Sequence, residues 1–281
     1  MVSEIALDRL CDFAFSLSIN SQDKTTDWRG HKTSIVFGKV AATCATFLKL
    51  IPGSPSFTPF KRYALWDLAS AASLCRNLVE AYYVLAYLCR EPESSEEAHF
   101  QERLWDYHEI FQRQKMLQAV SPSSAHLPKL ESTLNAKKDK LVCTSKWEQL
   151  SNGRQKELLK GKDFTLLSQQ EIAREAGISV NYHRGVYGFC SAHTHCAPFS
   201  VSQLNEFQAG NVESERVIGT LVEYTTGFTA LAIRDFTSLF LDPKPEIPES
   251  IQEIVQFWQD IVMWDQSPFY PGEDRGPCAA S

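Results

Sequence analysis

Tyr182–Cys196 reads YHRGVYGFCSAHTHC, and the fold turns on whether this stretch is a helix. At about 100° per residue, a helix places Arg184, Tyr187, Ser191 and His195 within an arc of roughly 80°. A face of Arg, Tyr, Ser and His is no hydrophobic seam. It meets either water or polar partners inside the molecule. The partner the chain offers is the Arg76–Glu80 pair, which interrupts the apolar run from Leu68 to Leu88.

Outward from that stretch, the chain is helical in pattern. The segment from about Lys61 to Arg90 places apolar residues on several faces, which predicts a central, surrounded helix. Ser73, Arg76, Glu80, Tyr83 and Tyr87 form a narrow polar-aromatic stripe along it. Arg76 and Glu80 are i,i+4 neighbours. In apolar surroundings they serve either as a buried ion pair that fixes helix register or as a device that aims Arg76 at an anion or sets Glu80 as a base.

Further helices are predicted over 3–19, 34–50, 96–119, 130–141, 168–176, 182–197, 213–240 and 251–262. Ser168-Gln-Gln-Glu171 is a capping-box pattern, and Gly177 ends that helix. Gly219 and Gly227 are expected to allow close packing. No strand alternation of convincing length occurs. The expectation is an all-α protein, an irregular multi-helix bundle of about eight helices. It takes 1–264 as a single domain with a polar excursion at 121–165, followed by an irregular tail over 265–281.

Composition narrows the function. The 281 residues are 43% hydrophobic and 22% charged, with a net charge of −6. That is a globular balance, and it argues against a broad duplex nucleic-acid surface. The eight cysteines are scattered and form no CxxC pair. Glu4 and Asp8 interrupt the first residues, and no long uncharged apolar run exists, so a cytoplasmic protein without a membrane partner is expected.

Four readings of these residues compete, three of them chemical. Cys190, His193 and Cys196 are zinc-type side chains, but they fan out around a helix with no second cluster to complete four ligands. Cys190 or Cys196 beside a histidine has the residue types of a nucleophile pair without the backbone donors such sites use. Metal-free phosphodiester or phosphoanhydride cleavage needs an acid/base and a cation for the developing charge. His195 supplies the first, Arg76 and Arg184 the second. Glu80 would hold Arg76, while Tyr187 and Ser191 would position the substrate. The fourth reading is a hydrogen-bond network without chemistry, in an interaction or regulatory module. The expected partner is a phosphate-containing or RNA ligand, with no cofactor and no metal. A homodimer through the 213–240 helix is compatible with the pattern.

Arg76-x-x-x-Glu80, followed by Tyr187-x-x-x-Ser191-x-x-x-His195 and preceded by QQEIAREAGISVNYHRGVY, resembles a widespread bacterial family of uncharacterised all-helical proteins. The resemblance spans roughly 60–240. It implies a helical fold and singles out Arg76, Glu80, Tyr187, Ser191 and His195. Through the likeness of such proteins to nuclease-like helical bundles of toxin and defence systems, it points toward ribonuclease chemistry. The separation of Arg184 from His193 or His195 is longer than the short Arg-to-His motif of those bundles.

Overall fold

The computed structural model describes residues 2–21, 27–52, 54, 56, 67–195, 197–206, 211–239 and 245–263. The tail expected over 265–281 lies outside the described residues, as does the 61–66 part of the predicted central helix. Among the described residues the chain is all-α, with twelve helices and no strand. The count exceeds the expected eight because the polar stretch after Cys143 coils into two short helices and a third forms at Pro198. Side-chain caps on Thr144 and Ser151 start the first two despite their weak apolar pattern.

The chain forms two compact units, one from Met1–Cys89 with Gln169–Ser281 and the other from Arg90–Ser168. The first contains α1 (Val2–Asn20), α2 (Trp28–Leu48), α3 (Leu68–Cys89), α8 (Gln169–Glu175), α9 (Val180–Thr194), α10 (Pro198–Glu206), α11 (Val212–Ser238) and α12 (Glu249–Met263). The second contains α4 (Ser95–Val120), α5 (Leu127–Val142), α6 (Ser145–Glu148) and α7 (Asn152–Leu159). The predicted polar excursion falls within this second unit, which also takes in α4.

In the first unit α3 is packed by α2, α11, α9 and α8, as its apolar residues on several faces require. Tyr82, Tyr83 and Phe228 pack edge to face or tilted, with ring centroids 5.4–5.9 Å apart. Phe37 stacks on Phe236 at 4.0 Å. Helix α2 starts at Trp28, six residues before the helix expected over 34–50, because the Asp27 carboxylate caps it by accepting from Gly30 N at 2.7 Å.

Helix α11 buries Thr225, Thr226, Thr229 and Thr237. Each hydroxyl donates to the carbonyl four residues earlier, so none enters the core unsatisfied. The part of α11 considered for a dimer contact is therefore buried in its own unit from Thr225 to Ile233. Gly227 allows α12 to approach, since a Cβ there would lie 2.8 Å from Val262 Cγ2. Gly219, expected to do the same, faces open space.

Gly177 ends α8 at φ +79°. Ile178 N donates to Ala173 O at 2.8 Å and Gly177 N to Arg174 O at 3.0 Å, which makes a Schellman turn. Ser179 N then donates to Val262 O at 3.2 Å, fastening the entry of α9 to the last turn of α12.

The second unit has its own core of Phe100, Leu104, Tyr107, Leu141, Trp147 and Leu158. Tyr107 OH donates to Leu159 O at 2.7 Å. Lys137–Asp106 and Arg154–Asp163 ion pairs brace its surface. Lys156, Lys160 and Lys162 are exposed.

Candidate functional site

The two polar stripes face each other. Ser73 meets Thr194, Arg76 meets Ser191, and Tyr83 meets His183. Residue numbers rise along α3 as they fall along α9, so the helices run antiparallel. Ten or eleven residues separate the outer contacts on each helix, about 15 Å of helix in both cases, so the seam is in step along its length.

Arg76 is the centre of the seam. Its Nε donates to Glu80 Oε1 at 3.0 Å, Nη1 to Ser191 Oγ at 3.2 Å and Nη2 to Tyr187 OH at 3.0 Å. Nη1 also lies 2.8 Å from His195 Nε2. A guanidinium has donors only, so His195 Nε2 must accept here and the ring proton sits on Nδ1. The Arg76 Cζ also stands 5.0 Å from the centroid of the Tyr187 ring.

The side chain of Arg76 is 16% exposed and that of Glu80 41%, while His195 lies at the surface. The cluster is thus covered at its middle and open at one edge. Partial burial opposes the charge of Arg76. The hydrogen bond to Glu80, the Tyr187 contact and the Glu80 charge outweigh it and hold the guanidinium above its ordinary value.

Five of the six residues singled out in the sequence, Arg76, Glu80, Tyr187, Ser191 and His195, are brought together. Arg184 is exposed, and no hydrogen bond joins it to the Arg76 cluster. Its charge is felt instead at His183. His195 stands one residue beyond the end of α9 as its C-cap, with its N–H donating to Ser191 O at 3.1 Å. That position leaves the imidazole at the open edge.

Tyr83 and His183 extend the seam inward, with Tyr83 OH 2.6 Å from His183 Nδ1. Burial holds the His183 imidazole below its usual value, with Arg184 adding to the effect. Burial pushes the Tyr83 phenol up, reinforced by Tyr187. Both groups therefore stay neutral. The sequence carried a signal for this pair, because Tyr83 lies on the α3 stripe and His183 one turn before Tyr187.

The described residues place Cys190 and His193, which the zinc and cysteine readings also invoke, in the interior. Cys190 is buried, and its thiol is pushed far up by a hydrogen bond with Cys75 and by burial, so it stays protonated and is a poor nucleophile. His193 is buried against α10, where its Nε2 donates to Gln203 Oε1 at 3.0 Å. No group of three or more His, Cys, Asp or Glu side chains converges among the described residues. Cys196 lies outside them. No helix among the described residues is long and apolar enough to cross a membrane.

A family model described as DUF5677, a family of unknown function, matches residues 63–211. No curated protein and no solved structure matches the chain. The matched stretch contains both stripes of the Arg76 seam and covers more than half of the sequence. This chain belongs to the DUF5677 family.

Proposed function

We propose that the Arg76 cluster binds a phosphate-containing or RNA ligand and cleaves its phosphodiester without a metal. The observation that carries this reading is the guanidinium held between Glu80 and Tyr187 with two N–H groups directed at Ser191 and the surface-exposed His195. An entering phosphate would take the place of Ser191 and His195 as acceptor, keeping Arg76 as the clamp. His195 Nε2, released with its lone pair, would then accept the 2′-hydroxyl proton of an RNA strand. The 2′ oxygen attacks phosphorus, the bond from phosphorus to the 5′ oxygen breaks, that oxygen takes a proton from water, and a 2′,3′-cyclic phosphate remains. Arg76 stabilises the charge that builds on the non-bridging oxygens. Ser191 and Tyr187 would hold the phosphate in line.

One observation favours a second reading. Four donor contacts of Arg76 already go to the protein's own side chains, as in a closed network that specifies how α3 meets α9 in a non-catalytic module. An assay in the presence of a chelator separates the two. Wild type, His195→Ala and Arg76→Lys are compared on a short RNA and on its 2′-deoxy counterpart, which lacks the nucleophile and should not be cleaved. The cleavage reading expects His195→Ala to lose roughly 10²–10⁴-fold in rate. Equal rates in wild type and His195→Ala leave only the network.

A further inference from the structure

Away from the Arg76 seam, α1, α9, α11 and α12 enclose a cavity of about 460 Å³, within the size range of small-molecule sites. Its walls are aromatic. Tyr182 and Tyr224 meet edge to face at 5.5 Å, and Phe257 and Trp258 do so at 5.6 Å. Trp258 is buried at 5% exposure while Phe257, at 59%, stands at the mouth. Four rings line one apolar space, and an aromatic ring attracts a cation to its face.

The polar groups of the cavity have one sign. Glu223 and Glu253 line it, and among the described residues no Lys, Arg or His does. Helix α12 carries Glu249, Glu253 and Asp260 and no basic residue. Its exposed face continues the acidic rim past the mouth. Such a rim concentrates cations and repels anions.

The Tyr182 ring lines the cavity, while its buried hydroxyl points toward Gly227, 3.3 Å from where a Cβ there would stand. Burial raises the Glu223 carboxyl above its usual value, an effect that a cation seated beside it would reverse.

We propose that this cavity binds a small organic cation, an amine or quaternary ammonium carried on an apolar body. The apolar body lies against Trp258 and Ile254, and the cationic head sits among the rings beside Glu223 and Glu253. The site shares no residue with the Arg76 cluster, and its ligand contains no phosphate, so the two readings stand or fall separately.

The test titrates the full chain with benzyltrimethylammonium, its neutral carbon isostere neopentylbenzene, and phenylacetate, followed by saturation-transfer NMR and calorimetry. The expected result is saturable binding of the cation, roughly tenfold tighter than the neutral isostere, and no binding of the anion. The Glu223→Gln/Glu253→Gln double variant, which keeps the shape of the rim, weakens the cation roughly tenfold and leaves the neutral compound unchanged. Equal binding of cation and isostere, or an unaltered affinity in the double variant, overturns the proposal. So does the absence of binding by any probe.

Discussion

The Arg76 cluster and the aromatic cavity each draw a tyrosine from α9, and they treat its hydroxyl in opposite ways. Tyr187 OH accepts from Arg76 Nη2 at 3.0 Å inside a set of mutually satisfied groups. Tyr182 OH, five residues earlier, is buried against Gly227 and has no partner among the described residues. A complete polar cluster holds two helices together, and a ligand entering it must displace contacts that already exist. The cavity wall uses only the Tyr182 ring, and a ligand against it displaces no hydrogen bond. High polarity in a sequence finds the first kind of site, whereas the second is built from residues that look like core.

The largest effect that would test the contrast is on Arg76. Replacing it with alanine removes the shared donor from four side chains and is expected to cost about 1–3 kcal/mol, discounted for the partial exposure of Glu80. Arg76→Lys should restore less than half of the loss, because an ammonium cannot reproduce the fork. Urea unfolding measures both, and an unchanged midpoint for Arg76→Ala would show that the cluster is not a closed network.

Next in size is the pair of tyrosines. Tyr187→Phe should lose about 1 kcal/mol, whereas Tyr182→Phe should lose nothing, or gain slightly, because its hydroxyl is already unpaired. Equal losses in thermal unfolding would erase the distinction drawn here.

The smallest effect is on pH dependence. Burial lowers the folded-state pKa of His183 below its ordinary 6.5. The unfolded chain therefore takes up a proton first as the pH falls through 6.5, and stability declines from there toward the lower folded value. His193 and His108 are lowered by burial as well and share the slope. His183→Asn keeps an acceptor for Tyr83 and should flatten the decline without abolishing it. Unfolding midpoints between pH 7 and 5 give the comparison, and a slope unchanged by His183→Asn would remove His183 from it.

The seam was legible because helical spacing alone puts Tyr187, Ser191 and His195 on one face, and because an Arg–Glu pair inside an apolar run needs a partner. Arg184 satisfied the same spacing, yet it is exposed, and Arg76 meets α9 one turn and more beyond it, at Tyr187, Ser191 and His195. The start of α2 was missed because one capping carboxylate, Asp27, outweighs a polar stretch. Helices α6 and α7 were missed for the same reason, since Thr144 and Ser151 begin helices that hydrophobic periodicity does not announce. Gly219 and Gly227 look alike in sequence, and only the position of Val262 tells them apart. The cavity was not legible at all. Its aromatic rings come from α9, α11 and α12, and each helix taken alone simply reads as apolar.

The bond from Ser179 N to Val262 O gives α9 a fixed angular index. Each residue turns a helix by about 100°, so one residue inserted after Ser179 would keep the anchor and rotate everything beyond it. Val186, Cys190 and Thr194 would then stand where Tyr187, Ser191 and His195 now meet Arg76. The last turn of α12 thus acts as a keyway for α9, and the contacts of Arg76 depend on a backbone carbonyl that never touches it.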